Sequence, residues 1–73
     1  MWTYKSHGLS MEIYEKDHRF VLEISDEIYG SYSSPGLAAD DVAVFSTGCY
    51  DWDKYDGKIT DYPSDLSEWN HTS

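Results

Sequence analysis

One stretch of the sequence, residues 51–59, carries oxygen ligands at a spacing that approaches a calcium-binding loop. It runs Asp-x-Asp-x-x-Asp-Gly-x-Ile, and a helical pattern precedes it, as in an EF-hand. The EF-hand requires an oxygen ligand at its fifth position, glycine at its sixth and a bidentate glutamate at its twelfth. Here Tyr55, Asp56 and Tyr62 hold those positions. The register therefore predicts no specific calcium or magnesium site, and it favours an acidic, aromatic surface loop.

The other residues that could do chemistry lack suitable partners. His7, His18 and His71 lie at no spacing at which two of them, or one with Cys49, would ligate zinc. Cys49 would need a nearby base and an electropositive setting to act as a nucleophile, and its neighbours are acidic. Paired carboxylates could serve acid–base chemistry, but a 73-residue chain leaves little room for a ligand pocket. The sequence therefore predicts no catalytic residue, no metal site, no cofactor and no enzyme.

The acidic residues are the main candidates for function. Between residues 40 and 68 there are eight carboxylates and two lysines, a local balance of −6. Exposed Tyr and Trp side chains are favoured anchors at protein interfaces. Closely spaced carboxylates approach the charge density of a nucleic-acid backbone. The sequence predicts a partner-binding surface made of Asp40, Asp41, Asp51, Trp52, Asp53, Tyr55, Asp56 and Asp61.

The whole chain is also acidic, with 14 Asp and Glu against 5 Lys and Arg and a net charge of −9. Such a field repels nucleic acid and anionic membranes and attracts basic proteins. No apolar segment approaches the roughly 18 residues that span a bilayer. We therefore expect a basic, nucleic-acid-binding protein as the partner, with no direct binding to nucleic acid or membrane. A single cysteine and no signal-peptide pattern favour a cytoplasmic location.

The N-terminal half of the chain, which precedes most of these candidate residues, is predicted to form strands. Apolar and polar residues alternate with a period of two, which predicts antiparallel strands over residues 9–14 and 19–24 joined by a polar turn. Residues 2–5 predict a short edge-like strand. Residues 28–32 predict either a separate strand or an extension of the second one. Gly30 within them indicates a bulge or a close backbone approach.

The period changes to 3.6 near Ser34, which marks the start of a helix. Ser34 is a good N-cap, Pro35 suits the first helical position, and Gly48 is the expected left-handed residue that ends the helix. The pattern predicts a helix over residues 35–47 that packs on the sheet. The residues expected in the core are Phe20, Leu22, Ile24, Leu37, Ala38, Val42 and Phe45.

The remaining residues complete the predicted fold. Residues 63–69 predict a short capped helical turn with Leu66 and Trp69 toward the core, followed by a frayed tail. Together the patterns predict one small α+β domain over residues 1–73. It consists of a small antiparallel β-sheet of two to four strands, one main α-helix packed on one face and a short C-terminal helical turn.

Two functions from different classes fit this description. The first is a non-enzymatic protein-binding module, a small acidic inhibitor that docks a basic nucleic-acid-binding surface of its partner as a nucleic-acid mimic. In size and charge the chain resembles the small acidic anti-restriction and anti-CRISPR proteins of phages. The second is a small structural or accessory domain of bacterial or phage origin, as a monomer or a homodimer, whose acidity serves solubility.

Overall fold

The computed structural model describes residues 1–72, which form one antiparallel sheet with helical segments. In chain order the strands are β1 (Trp2–Ser6), β2 (Leu9–Lys16), β3 (Arg19–Ile24), β4 (Glu27–Tyr32) and β5 (Asn70–His71). The helices are α1 (Pro35–Ala43) and α2 (Tyr50–Asp53), followed by a 3₁₀ turn over Leu66–Glu68. The strand order is β4-β3-β2-β1-β5. Within residues 1–72, no helix has the length and apolar character that a membrane crossing requires.

The α+β class, the main helix and the short C-terminal helical turn are confirmed, but the sheet has five strands rather than two to four. The two-residue loops that join β1 to β4 explain the regular pairing. All six loop residues have positive φ: His7-Gly8, Asp17-His18 and Ser25-Asp26. Positive φ at both central residues defines the type I′ turn, whose twist matches that of paired strands. These turns keep the apolar residues of neighbouring strands on one face.

β4 is a separate strand rather than an extension of β3. A register shift after Leu22 leaves Tyr29 as an extra residue in β4, beside Gly30. The phenol of Tyr32 lies over Gly30, where an added Cβ would meet the hydroxyl oxygen at 2.7 Å. Of the two alternatives that Gly30 indicated, the bulge is present, with Tyr29 as its extra residue. A larger residue at position 30 would displace the Tyr32 ring.

β1 lies inside the sheet rather than at its edge, because residues near the C-terminus pair beside it as β5. Trp2 and Thr3 pair with the two residues of β5. The rings of Trp2 and His71 stack with centroids 4.3 Å apart. The backbone N–H of Thr72 donates to the carbonyl of residue 1 at 2.8 Å. Residues 70–72 are therefore paired and not frayed as predicted, while Ser73 lies outside the described residues.

α1 begins where predicted and ends early. The Ser34 hydroxyl accepts a hydrogen bond from the backbone N–H of Leu37 at 3.3 Å, which confirms the N-cap. The helix ends at Ala43 rather than at residue 47. Gly48 does not end it, and lies in the following loop with φ of +89°. The predicted C-terminal boundary is therefore wrong.

Phe45 ends the helix in place of a glycine, with φ of +55°. Its N–H donates to the carbonyl of Val42 at 3.2 Å, and the N–H of Ser46 donates to that of Asp41 at 2.9 Å. These two bonds form a Schellman motif. A left-handed backbone costs a residue with a side chain about 1–2 kcal/mol. Burial of the ring against Trp52, with centroids 5.0 Å apart, offsets this cost.

The core lies between α1 and one face of the sheet. Leu22, Ile24, Ala38, Val42 and Phe45 are buried as predicted. Phe20 is partly buried and packs against this core, whereas Leu37 is 48% exposed, contrary to prediction. The helix instead turns Ala38, Ala39 and Val42 toward the sheet, and the small alanine side chains permit a close approach. The chain after α1 adds further buried side chains: Phe45, Cys49, Trp52 and Trp69.

Candidate functional site

α2 places Trp52 in the core. The side chain is 0% exposed. Its indole N–H donates to the carbonyl of Val42 at 3.1 Å, and its ring stacks on Phe45. The expectation of an exposed Trp52 anchor is therefore wrong. A sheet covered by one short helix leaves space beside the helix end, and this large ring fills it.

Two of the predicted contact residues are occupied by intramolecular hydrogen bonds. One carboxylate oxygen of Asp53 accepts from the N–H and hydroxyl of Thr47 at 3.1 and 2.8 Å, and the other accepts from the N–H of Gly48 at 2.9 Å. Asp53, the last residue of α2, thus ties this helix to the loop that connects it to α1. Asp41 accepts a hydrogen bond from the Tyr32 hydroxyl at 2.7 Å. Burial, and then this bond, raise the pKa of Tyr32 above its usual value of 10.0.

The segment after α2 is held to the β1–β2 turn by His7. Its Nε2 donates to the carboxylate of Asp61 at 3.1 Å, and its ring lies 4.9 Å from that of Tyr55. Tyr55 is half-buried and also contacts Trp52 edge-on, so it is not the free surface anchor that was expected. Asp61 remains exposed. The hydrogen bond from His7, followed by a backbone hydrogen bond, lowers the pKa of Asp61 below its usual value of 3.8.

Three predicted contact residues remain free: Asp40 on α1, Asp51 on α2 and Asp56 after α2. All three are exposed. Their carboxylates make no hydrogen bond or ion pair with any other group in residues 1–72. In that range, the sole close contact between a basic and an acidic side chain is that of His7 with Asp61, which is ionic when the imidazole is protonated. These three carboxylates therefore form no ion pair within the described residues, although Lys54 and Lys58 lie in the same segment of the chain.

Charge is distributed unevenly between the two sides of the sheet. Three basic side chains lie on the face of the sheet opposite the core, as the strand register shows: Lys5, Lys16 and Arg19. These are three of the chain's five basic residues. Glu12 and Glu23 share that open face. The open face is therefore nearly balanced, whereas the helical side, with α1, α2 and the loop after them, carries most of the excess negative charge.

The helical side also exposes apolar residues that the sequence pattern did not reveal. Leu37 and Val44 are 48% and 62% exposed, and Tyr50 is 77% exposed. Leu37 lies on α1 and Val44, seven residues later, is its C-cap, so the two lie on the same side of the helix with Asp40 between them. We name the exposed side chains of Leu37, Asp40, Val44, Tyr50 and Asp51 the helical surface. The sequence would have predicted an exposed Leu37 only if both Ala38 and Ala39 had been assigned to the core.

The surface grooves and the arrangement of potential metal ligands give little support for a catalytic or metal-binding site. An open groove of about 490 Å³ lies beside β1, lined by Thr3, Tyr4, Lys5, Glu68 and Asn70. This lining contains no histidine or cysteine. In the described part of the chain, no three His, Cys, Asp or Glu side chains converge as metal ligands would. The absence of enzyme activity and of specific calcium binding stays a prediction.

No protein-family model matches the chain, and neither a curated protein nor a solved structure matches it.

Proposed function

We propose that this chain is a non-enzymatic, cytoplasmic binding protein that docks a basic surface of a partner protein through Asp40, Asp51 and Asp56. The observation that supports the proposal is that these exposed carboxylates form no ion pair or hydrogen bond within residues 1–72. Unpaired surface carboxylates keep their full interaction with an incoming Lys or Arg, because no intramolecular bond must first break.

The other predicted contact residues take different parts in this proposal. Asp41 and Asp53 accept hydrogen bonds from Tyr32 and Thr47, so they stabilise the fold beneath the surface and do not contact the partner in this proposal. Asp61 is exposed at the rim and adds charge. Trp52 and Tyr55 support the backbone beneath the carboxylates. The net charge of −9 adds long-range attraction, which steers a basic partner toward the helical side before contact.

The sharper form of the proposal is a nucleic-acid mimic. The partner would be a nucleic-acid-binding protein, and the carboxylates would occupy cationic sites that normally hold phosphates. Such a protein would act as an inhibitor, in the manner of the small acidic anti-restriction or anti-CRISPR proteins of phages. Binding to the partner and binding of nucleic acid would then be mutually exclusive.

The experiment compares two variants with equal net charge. In the helical triple variant, Asp40, Asp51 and Asp56 become Asn. In the turn triple variant, the exposed carboxylates of Glu15 near the end of β2 and of Asp17 and Asp26 in the hairpin turns become Gln, Asn and Asn. Both variants change the net charge from −9 to −6. Each is immobilised beside the wild type and exposed to lysate of the source organism.

The proposal predicts that wild type and the turn triple variant capture the same basic protein, that the helical triple variant loses it, and that duplex DNA displaces it. If no basic protein is captured, or if both triples lose it equally, the acidity serves only solubility. The structural-domain hypothesis then replaces the proposal. Capture that DNA does not displace would retain the binding function and exclude the mimic.

A further inference from the structure

The helical surface combines apolar and acidic side chains in a repeating order. Along the exposed side of α1, Leu37 and Val44 flank Asp40, and the buried residues Ala38 and Val42 lie on the opposite side. At 1.5 Å per residue, Leu37 and Val44 are about 10 Å apart along the helix axis. This spacing places two apolar side chains and one carboxylate in a line along the exposed side of the helix.

α2 lies beside the end of α1 and presents a second pair of exposed side chains. Trp52 joins the two helices through its hydrogen bond to the carbonyl of Val42. With Trp52 turned inward, the exposed side chains of α2 are Tyr50 and Asp51, again one apolar body beside one carboxylate. Tyr50 is the most exposed of the large apolar side chains. Tyrosine at such a position supplies contact area at low entropic cost and is favoured in binding hot spots.

We propose, resting on the binding function above, that Leu37, Val44 and Tyr50 anchor the partner. The partner would then present a basic amphipathic helix: apolar residues along one side, with Lys and Arg flanking them. The carboxylates of Asp40 and Asp51 match the flanking cations, and the apolar side chains match the central strip. Charge complementarity raises the association rate and fixes the orientation of the partner, while burial of apolar side chains slows dissociation.

Charge also decides against a second copy of this chain as the occupant. Two copies meeting through the helical surface would bring Asp40, Asp51 and their symmetry mates together. Each copy carries a net charge of −9, and Lys54, the lysine that follows α2, lies 5.5 Å from the centre of the Tyr55 ring and pairs with neither carboxylate. Like charges placed face to face at an interface oppose association. A basic helix meets no such repulsion.

The test uses two synthetic peptides of about 14 residues, four helical turns. The first has Leu along one side and Lys along the other. The second has the same Lys residues with every Leu replaced by Ala, so it keeps charge and helix propensity and loses the apolar strip. Affinities are measured calorimetrically near 0.15 M salt, where exposed charges are partly screened. Amide chemical shifts of the labelled protein locate the contact.

Three protein variants complete the design. Leu37→Ser with Val44→Ser removes the apolar anchors of α1, and Tyr50→Ser removes that of α2. The matched control is Ile28→Ser, because Ile28 is 50% exposed, close to the 48% of Leu37, and lies on the open face of the sheet. The altered side chains are all exposed, so each variant should melt near the wild-type temperature.

The expected result is that the Leu/Lys peptide binds the wild type about tenfold more tightly than the Ala/Lys peptide. This difference disappears in the Leu37→Ser, Val44→Ser variant, decreases in Tyr50→Ser and persists in Ile28→Ser. Shifts should concentrate on α1 and α2. Equal affinity of both peptides, with the helical triple variant binding neither, would overturn the apolar anchor and leave the electrostatic function intact. Binding of neither peptide to the wild type would count against both proposals.

Discussion

Asp51, Trp52 and Asp53 are consecutive, yet their side chains have three different environments. The carboxylate of Asp51 is free in solvent, the ring of Trp52 is fully buried, and Asp53 holds the loop at Thr47 and Gly48. A four-residue helix produces this result, because each residue of α2 points in a direction about 100° from the last. Only the first of these three residues is available to a partner.

The burial of Trp52 predicts a large loss of stability when the ring is removed. Trp52→Ala should lower the free energy of unfolding by about 3–5 kcal/mol, since it leaves a cavity against Val42 and Phe45. That amount approaches the whole stability of a small domain. Tyr50→Ala, two residues earlier and 77% exposed, should change it by less than about 0.5 kcal/mol. Urea unfolding followed by circular dichroism checks both. Similar midpoints for the two variants would place Trp52 outside the core.

The contrast between Asp53 and Asp51 gives a second prediction. Asp53→Ala removes the acceptor for three donors on Thr47 and Gly48, and should cost about 1–2 kcal/mol of stability. Asp51→Ala removes a carboxylate with no such bonds and should have an effect below about 0.5 kcal/mol. Thermal melts at equal ionic strength measure both. A cost for Asp51→Ala that equals that of Asp53→Ala would be inconsistent with these separate roles.

The hydrogen bond between His7 and Asp61 predicts a pH dependence. Asp61 should titrate below its usual pKa of 3.8, and His7→Ala should bring it back toward that value. Because the pKa is lowered in the folded state, the stabilisation is present above about pH 3.8, the unfolded value, and is lost as the pH falls through the folded value. Carboxyl carbon chemical shifts report the titration. An Asp61 pKa unchanged by His7→Ala would show that the contact does not hold in solution.

At the scale of elements, local backbone chemistry explains both the strands and the helix end. The hairpins need positive φ at six loop residues, and only one of them is glycine. Asn-Gly is the favoured pair in such a type I′ turn. The loop Asp17-His18, with φ of +54° and +65°, therefore stores strain that a better pair would relieve.

Replacing Asp17-His18 with Asn-Gly should stabilise the domain by about 0.5–1 kcal/mol, because the left-handed conformation costs these residues less. Replacement with Ala-Ala should do the opposite, since alanine gains nothing from positive φ. Chemical unfolding of the three proteins gives the order directly. If Asn-Gly and Ala-Ala had the same stability, the loop would not be a type I′ turn.

The strands and the helix start were predictable because each depends on nearby residues. Period-two alternation identified β2 and β3, and Ser34-Pro35 marked the start of α1. The helix end was not predictable, because Phe45 takes a glycine-like conformation that only its tertiary packing supports. β5 was missed because two residues carry no period and their pairing with β1 spans most of the chain.

The sequence predicted the acidic character of the candidate site, but it predicted only some of the residues that are exposed there. Carboxylate density pointed to the region after Ser34, and Asp40, Asp51 and Asp56 are exposed there. Alternating acidic and aromatic residues do not show which aromatic rings face inward, so Trp52 was placed on the surface. Leu37 was placed in the core because the apolar residues of this short helix fit two orientations about the helix axis equally well. In the structure the orientation that buries Ala38 and Ala39 is the one adopted, and it exposes Leu37.

At the scale of the whole molecule, the sheet separates two electrostatic environments. Its open face carries three of the five basic residues beside two glutamates, and the helical side carries unpaired carboxylates. A net charge of −9 distributed in this way gives the molecule a directional field, so a basic partner approaches the helical side first. The position of the charges, and not only their number, should therefore control association.

The most direct test is the association rate constant of the captured basic protein, measured by stopped flow from about 0.05 M to about 0.5 M salt. Wild type should associate more slowly as salt rises. The helical triple variant should associate more slowly at low salt and show a flatter salt dependence, while the turn triple variant of equal net charge should stay close to wild type. Identical rates for the two triple variants at every salt concentration would contradict the assignment of binding to Asp40, Asp51 and Asp56.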